Sequence, residues 1–433
     1  MKFSTYYLGC RVNQAEIEYF EEKLSKMGLE NSKDGKADII IFNTCAVTHK
    51  AEKESFRLIR KVFLSNPDSK LFITGCIVPL NKSLIEQVKQ KILPPEYLEK
   101  SENIYIIPST QKEKVIEIIE NHLKNTDYFI QNNGSKINRF KYYIKVQDGC
   151  NHFCSFCIIP FTRGRSRSKK IEEVQSQIQS IAEIIRSNPQ TGAEITLTGI
   201  CLGEYGLDIN TSLAKLLKSI LPLIPDNARI RLSSMDIITL DEELMEVIAT
   251  SDKICKFLHL SLQSGSNRIL KLMRRNYTIE QYIEITNYLY KNIPDLGITT
   301  DIIVGFPTET DQDFEETLEA IKKVNFHRIH IFPFSFRPYT YAYQTMRHIK
   351  IDHQKVKEYE KILTKLSLEQ SKKFIKDRIG KYYNVLVEEN GYGYTHNFIR
   401  VKTNYSGNPK YMNLKITGIE EEKGNFAVAS VNP

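Results

Sequence analysis

Asp148-Gly149-Cys150-Asn151-His152-Phe153-Cys154-Ser155-Phe156-Cys157 is the stretch on which the reading of this chain turns. It follows a strand-like run, Tyr143 to Val146, and spaces its cysteines as C-x3-C-x2-C. Three thiolates on one short loop hold three irons of a [4Fe–4S] cluster and leave the fourth iron open to a ligand. Zinc is the alternative. It needs a fourth nitrogen or sulfur, for which His152 and Cys201 are candidates, and spacing alone leaves it open. Core filling explains the motif poorly, because three cysteines at a strand–loop junction pack less volume than leucine or valine.

Outward from this loop the hydrophobic pattern repeats. Tyr143 to Val146, Ile195 to Thr198, Arg229 to Leu232, Phe257 to Leu262, Thr299 to Val304 and Arg328 to Phe332 read as strands with helical patterns between them. Six such units predict an incomplete (β/α)6 barrel over residues 139–372, a shortened form of the eight-unit barrel whose ligands sit at the carboxyl ends of the strands. A long helix, about Asp352 to Arg378, stops at Gly380. From Tyr382 onward short alternating runs punctuated by glycines predict a small β-barrel, and the tail domain is assigned to residues 373–433.

On the amino-terminal side, residues 1–125 alternate strand and helix patterns as a parallel α/β sheet does. Tyr6 to Leu8, Ile39 to Phe42 and Leu71 to Thr74 read as strands, and Cys10, Cys45 and Cys76 follow them. Carboxyl ends of parallel strands share one edge, so three more thiols are expected to converge there. The polar stretch from Gln131 to Lys136 marks a linker, placed at 126–138. The fold class is therefore α/β with a small all-β tail.

Composition narrows the function. The chain has 433 residues, 41% hydrophobic and 26% charged, with eight cysteines and 60 Lys+Arg against 52 Asp+Glu. That balance excludes a disordered tail protein, and no apolar run reaches the ~18 residues of a spanning helix. The amino terminus lacks signal-peptide character, so a cytoplasmic protein without a membrane partner is expected. Reducing conditions there make the cysteines metal ligands, nucleophiles or buried small residues rather than a disulfide framework, and Cys201 and Cys255 read as buried small residues. The net charge of +8 favours a polyanionic partner.

The cysteine loop and the following Ile158-Ile159-Pro160-Phe161-Thr162-Arg163-Gly164-Arg165-Ser166-Arg167-Ser168 resemble the cluster loop of the radical S-adenosylmethionine methylthiotransferase family. Leu8-Gly9-Cys10-Arg11-Val12-Asn13-Gln14, Asn43-Thr44-Cys45, Thr74-Gly75-Cys76, Leu260 to Ser266 and Asp301 to Thr310 are similar to further segments of that family, and the tail to its TRAM RNA-binding domain. The resemblance implies two [4Fe–4S] clusters: a radical-generating one on Cys150, Cys154 and Cys157, and an auxiliary one on Cys10, Cys45 and Cys76. It also implies S-adenosylmethionine as cofactor, cleaved to a 5′-deoxyadenosyl radical that attacks a carbon–hydrogen bond beyond the reach of side-chain bases.

Candidate cofactor contacts lie at strand ends: Thr198, Gly199, Ser233, Ser234, Gln263 and Ser264, with Asp301 inside the fifth strand. A polar residue there also caps the following helix, and both readings stand. Arg163, Arg165, Arg167, Lys169 and Lys170 after the cluster loop, and Tyr394, Phe398 and Arg400 in the tail, are candidate RNA contacts. The segments around Cys10 and the cluster loop, with Leu197 to Gly206, resemble the type acting on N6-threonylcarbamoyladenosine at position 37 of tRNA. The expected partners are a tRNA anticodon stem-loop and an electron donor such as flavodoxin or ferredoxin, with the chain a monomer. The alternatives are the same reaction on N6-isopentenyladenosine and a noncatalytic iron–sulfur RNA-binding protein.

Overall fold

The computed structural model describes residues 1–32, 35–80, 99–100, 102–124, 139–421 and 426–429. The linker expected at 126–138 lies outside them. Two compact units divide the chain: residues 1–137, 148–165 and 335–345 form one, and 138–147, 166–334 and 346–433 the other. Compactness thus groups the cysteine loop with the amino-terminal sheet, and the tail with the barrel.

In the first unit five parallel strands pair in the order β2-β1-β3-β4-β5, where β1 is Lys2–Tyr7, β2 Glu30–Asn31, β3 Ile39–Thr44, β4 Lys70–Gly75 and β5 Ile104–Ile106. The central strand β3, Ile-Ile-Ile-Phe-Asn-Thr, is buried along its whole length, as a parallel strand covered on both faces must be. Strand β1 starts four residues earlier than its apolar pattern predicts. Phe3 anchors it in the core, and the polar Ser4 and Thr5 interrupt the apolar run between it and Tyr6. Helix α1 (Arg11–Lys26) buries Ile17, Phe20 and Leu24 against the sheet, each worth about 2 kcal/mol of transfer from water, and Gly28 in a left-handed conformation ends the turn after it. Helix α2 (His49–Ser65) starts where the Thr48 hydroxyl accepts from the Ala51 amide at 3.1 Å.

The second unit contains the six expected strands, all parallel. Lys141–Lys145, Ala193–Thr198 and Ala228–Leu232 form one sheet, and Phe257–His259, Gly297–Val304 and Arg328–Pro333 another. Parallel bridges Ile230 to Ile254 and Met235 to Leu260 join them into one incomplete barrel. The long helix His353–Lys376, capped by Asp352, follows. Its last turn supplies Phe374 and Ile375 to the core of the tail, so the tail's packing does begin near residue 373 although its first strand is Tyr382–Val387.

That tail is a six-stranded, mostly antiparallel sheet, and it seals the amino ends of the barrel strands. Glu194 sits between Arg229 (3.0 Å) and Arg231 (2.7 Å), all three buried. The same guanidinium groups donate to the Tyr394 carbonyl at 2.8 Å and the Thr395 carbonyl at 3.3 Å. Gly297 lies so close to the tail that an added Cβ would meet the Asn397 carbonyl oxygen at 2.4 Å. The carboxyl ends of the strands are thereby left as the ligand face of the barrel.

Candidate functional site

Parallel pairing brings Cys10, Cys45 and Cys76 to one edge of the first sheet, each just beyond the end of its strand. Gly9 permits the approach. Its φ is +98°, and a Cβ there would lie 2.8 Å from the Cys45 sulfur. Burial, joined by the proximity of Cys76 and Cys10 and opposed by the Val47 amide and Arg163, pushes the Cys45 thiol up to about 12. The Cys10 thiol moves the same way, mainly through desolvation: its residue surface reaches solvent, yet protein packs closely around the sulfur. Three soft donors crowded in this way fit an iron–sulfur cluster, whose binding would displace the thiol protons.

Beneath them runs a buried polar network. Arg163 is 0% exposed, and donates to Glu16 at 3.0 Å, to Asp148 at 2.9 Å and to the Cys76 sulfur at 3.3 Å. Burial disfavours the guanidinium charge, but Glu16 and the other anionic neighbours more than restore it. Lys112 also pairs with Glu16, and the Asn43 amide donates to Glu16 at 2.8 Å. Asn13 closes the network by donating to the carbonyls of Leu8 (2.6 Å) and Thr44 (3.0 Å), which fixes the two strand ends beside Cys10 and Cys45. Here the sequence reading is corrected: Arg163 does not reach an RNA phosphate, because its charge is consumed inside the fold. Asn13 and Glu16 had been overlooked. Their signal was two polar residues in phase with the buried Phe20 and Leu24 on one face of α1.

The second triple, Cys150, Cys154 and Cys157, lies half-buried on one loop of the same unit. The Cys157 amide donates to the Cys154 carbonyl at 3.0 Å, and the Cys150 amide to the Gly164 carbonyl at 3.2 Å. Gly149 lets the loop fold back on itself, since a Cβ there would sit 2.1 Å from the Arg165 carbonyl oxygen. Donor type and spacing fit a cluster with one open iron.

In the barrel, Gly199 and Ser233 meet at the carboxyl ends of neighbouring strands, where the serine hydroxyl accepts the Gly199 amide at 3.1 Å. Thr198 is buried and its hydroxyl donates back to Ile144, while the Ser234 carbonyl accepts from Leu202. Gln263, at φ +70°, bonds through its amide to the Asp301 carbonyl. Asp301 accepts from His259 (3.0 Å) and Ser261 (3.0 Å); burial raises its carboxyl but these donors and the nearby His330 hold it below the usual range. His259 is a further polar member that sequence reasoning missed. Ser264 is corrected: fully buried, it lies 3.4 Å from Thr317 of the helix Asp311–Val324 and supports packing rather than the ligand face. Cys201 and Cys255 are buried, as expected for small core residues.

Of the basic run, Arg165, Arg167 and Lys170 are exposed. Lys169 is half-buried against Gln177, and burial with the Lys145 charge lowers it to about 8. In the tail, Phe398 packs on Phe257 (4.4 Å between centroids) and Tyr394 stacks on Phe398 (4.9 Å), while Arg400 lies over Tyr392. Tyr394 and Phe398 thus belong to the joint with the barrel, a second correction to the proposed RNA face.

Comparison with known proteins agrees with this geometry. A model of the radical SAM superfamily matches residues 144–321, and one described as uncharacterized protein family UPF0004 matches residues 2–93. The chain is 36% identical over 409 residues to the threonylcarbamoyladenosine tRNA methylthiotransferase MtaB of Aquifex aeolicus, covering 93% of this chain and 96% of that one. It is 34% identical over 394 residues to the tRNA-2-methylthio-N(6)-dimethylallyladenosine synthase of Thermoanaerobacter pseudethanolicus, covering 88% and 80%. Among solved structures, the radical S-adenosylmethionine methyltransferase TsrM of Kitasatospora setae, with cobalamin and a [4Fe–4S] cluster bound, shares the fold at TM-score 0.55 and 13% identity, over 79% of this chain and 77% of that one. Among the described residues no helix is long and apolar enough to cross a membrane. With near-complete coverage at this level of identity, the chain belongs to the tRNA methylthiotransferase family of radical S-adenosylmethionine enzymes.

Proposed function

We propose that this enzyme methylthiolates C2 of N6-threonylcarbamoyladenosine at position 37 of tRNA, beside the anticodon. The observation that carries the reading is the gathering of two cysteine triples into one compact unit, which fits two [4Fe–4S] clusters of different role. When bound at Cys150, Cys154 and Cys157, the first supplies reductive cleavage of S-adenosylmethionine, and the second, at Cys10, Cys45 and Cys76, supplies sulfur. The chain's own groups bind and orient. Gly199, Ser233, Gln263 and the His259–Asp301 pair offer the cofactor amides, hydroxyls and a held carboxylate, and Arg165, Arg167 and Lys170 offer charge to RNA phosphates. The protein works as a cytoplasmic monomer reduced by a flavodoxin or ferredoxin.

The nucleoside is tested by mass spectrometry of tRNA digests from a strain lacking the protein. 2-Methylthio-N6-threonylcarbamoyladenosine should vanish while the isopentenyl counterpart persists. The converse loss would select the second reading, which the similarity to the dimethylallyladenosine synthases favours.

Cluster assignment is tested by replacing each triple with alanine. Either variant should hold roughly half the iron of the parent, and only the Cys150, Cys154, Cys157 variant should lose all 5′-deoxyadenosine formation. Unchanged iron in either one would remove that cluster from the proposal.

A further inference from the structure

Beside the cluster loop the first unit displays an aromatic surface that the foregoing does not use. Phe161 is 44% exposed and Tyr339 47% exposed, with rings inclined by 30° and centroids 6.2 Å apart. Phe153 meets Phe161 edge-on at 6.2 Å, and the Arg165 guanidinium lies 4.3 Å over the Phe153 ring.

Burial does not account for this surface, and its backbone is strained. Tyr339 has φ +68° and Phe153 φ +49°, a left-handed conformation that bulky side chains seldom adopt. Such strain persists only where the surroundings impose it. For Tyr339 they do so from both sides. Arg337, 1% exposed, donates to Glu52 (2.7 Å) and lies 3.2 Å from His49, and the buried Ala342 donates its amide to the Ser155 carbonyl at 2.8 Å on the cysteine loop. The segment between them is a rigid bracket that holds an aromatic ring outward. An exposed aromatic pair held out at a conformational cost points to a ligand.

We propose that Phe161, Tyr339 and Phe153 with Arg165 form a stacking platform for unpaired nucleobases of the RNA loop around the target adenosine. The inference rests on the RNA reading above. Two features select bases over another apolar partner. A guanidinium over an aromatic ring sets a cation beside a π face, a combination suited to a base or phosphate, and Lys50 and Lys53 on α2, the helix that anchors the bracket through Glu52, are exposed. Bases can stack only when splayed from a helix, so the platform reads loop against duplex rather than sequence.

The test uses the cluster-loaded enzyme and two labelled RNAs of equal length and charge, one a hairpin with an adenosine-bearing loop and one fully paired. Tyr339→Leu and Phe161→Leu, which keep bulk but remove the π face, should each bind the hairpin roughly tenfold more weakly, about the loss of one stacked base. Binding to the paired RNA should not change. Tyr339→Gly separates stacking from folding: it should relieve the backbone strain, so its melting temperature should not fall, while hairpin affinity drops. Hairpin binding unchanged in these variants, or weakened equally for both RNAs, would overturn the platform. Wild-type protein that bound neither RNA would instead sink the RNA reading on which the platform rests.

Discussion

Replacing Arg163 with methionine should destabilise the first unit by about 3–5 kcal/mol and strip iron from the Cys10, Cys45, Cys76 site. The magnitude follows from what is left behind. Glu16 and Asp148 are both buried and both accept from this guanidinium; without it Asp148 loses this ion pair and Glu16 keeps that of Lys112. Lysine at position 163 would restore the charge but not the fork that spans two carboxylates and a sulfur, so Arg163→Lys should recover only part of the loss. Anaerobic denaturant unfolding of the apoprotein gives the stability change, and iron per chain in the reconstituted protein gives the site occupancy. An apoprotein midpoint equal to wild type would show that the network contributes nothing.

Glu194→Gln should have an effect of the same size, about 3–5 kcal/mol, in the second unit. Both Arg229 and Arg231 would lose their only carboxylate partner among the described pairs, at the point where they also hold the carbonyls of Tyr394 and Thr395. The pH dependence has a definite sign. Burial alone would raise the Glu194 carboxyl, but Arg231 and Arg229 hold it far below the usual carboxylate range. A depressed folded value means that the stabilisation is complete above the unfolded value of about 4.3 and is lost as the pH falls below it toward the folded one. The gap between wild-type and variant thermal midpoints should therefore be constant near neutrality and shrink below about pH 4. A gap that widened on acidification would contradict the pairing.

Local spacing made the site legible. The C-x3-C-x2-C loop and the three strand-end cysteines needed only short-range pattern and the rule that parallel strands share a carboxyl edge. The six barrel strands were legible as short β-rich runs between helical patterns, several of them alternating, as in Ala228–Leu232 (ARIRL) and Arg328–Pro333 (RIHIFP). What failed was the fate of charge and aromatic groups. Arg163 looked like one member of a solvated basic run with Arg165 and Arg167, and only tertiary burial separates it from them. Tyr394 and Phe398 looked like an RNA face because alternation in a strand says which residues share a side, not whether that side meets solvent or Phe257. His259 escaped because its partner, Asp301, is 42 positions away, on the next strand.

The bracket that carries Tyr339 also orders events during synthesis. The Ser335 hydroxyl meets the His49 amide across 286 positions of sequence, and Arg337 reaches Glu52 across 285. Contacts so distant form late, since the closure entropy of the intervening chain must be met before they add stability. On the ribosome the amino-terminal sheet emerges first, but the compact unit built on it cannot be completed until more than three-quarters of the polypeptide has been made. Both sets of thiols thus wait in an unfinished unit during translation, and the chain's last closure near them comes with the residues that present the aromatic ring.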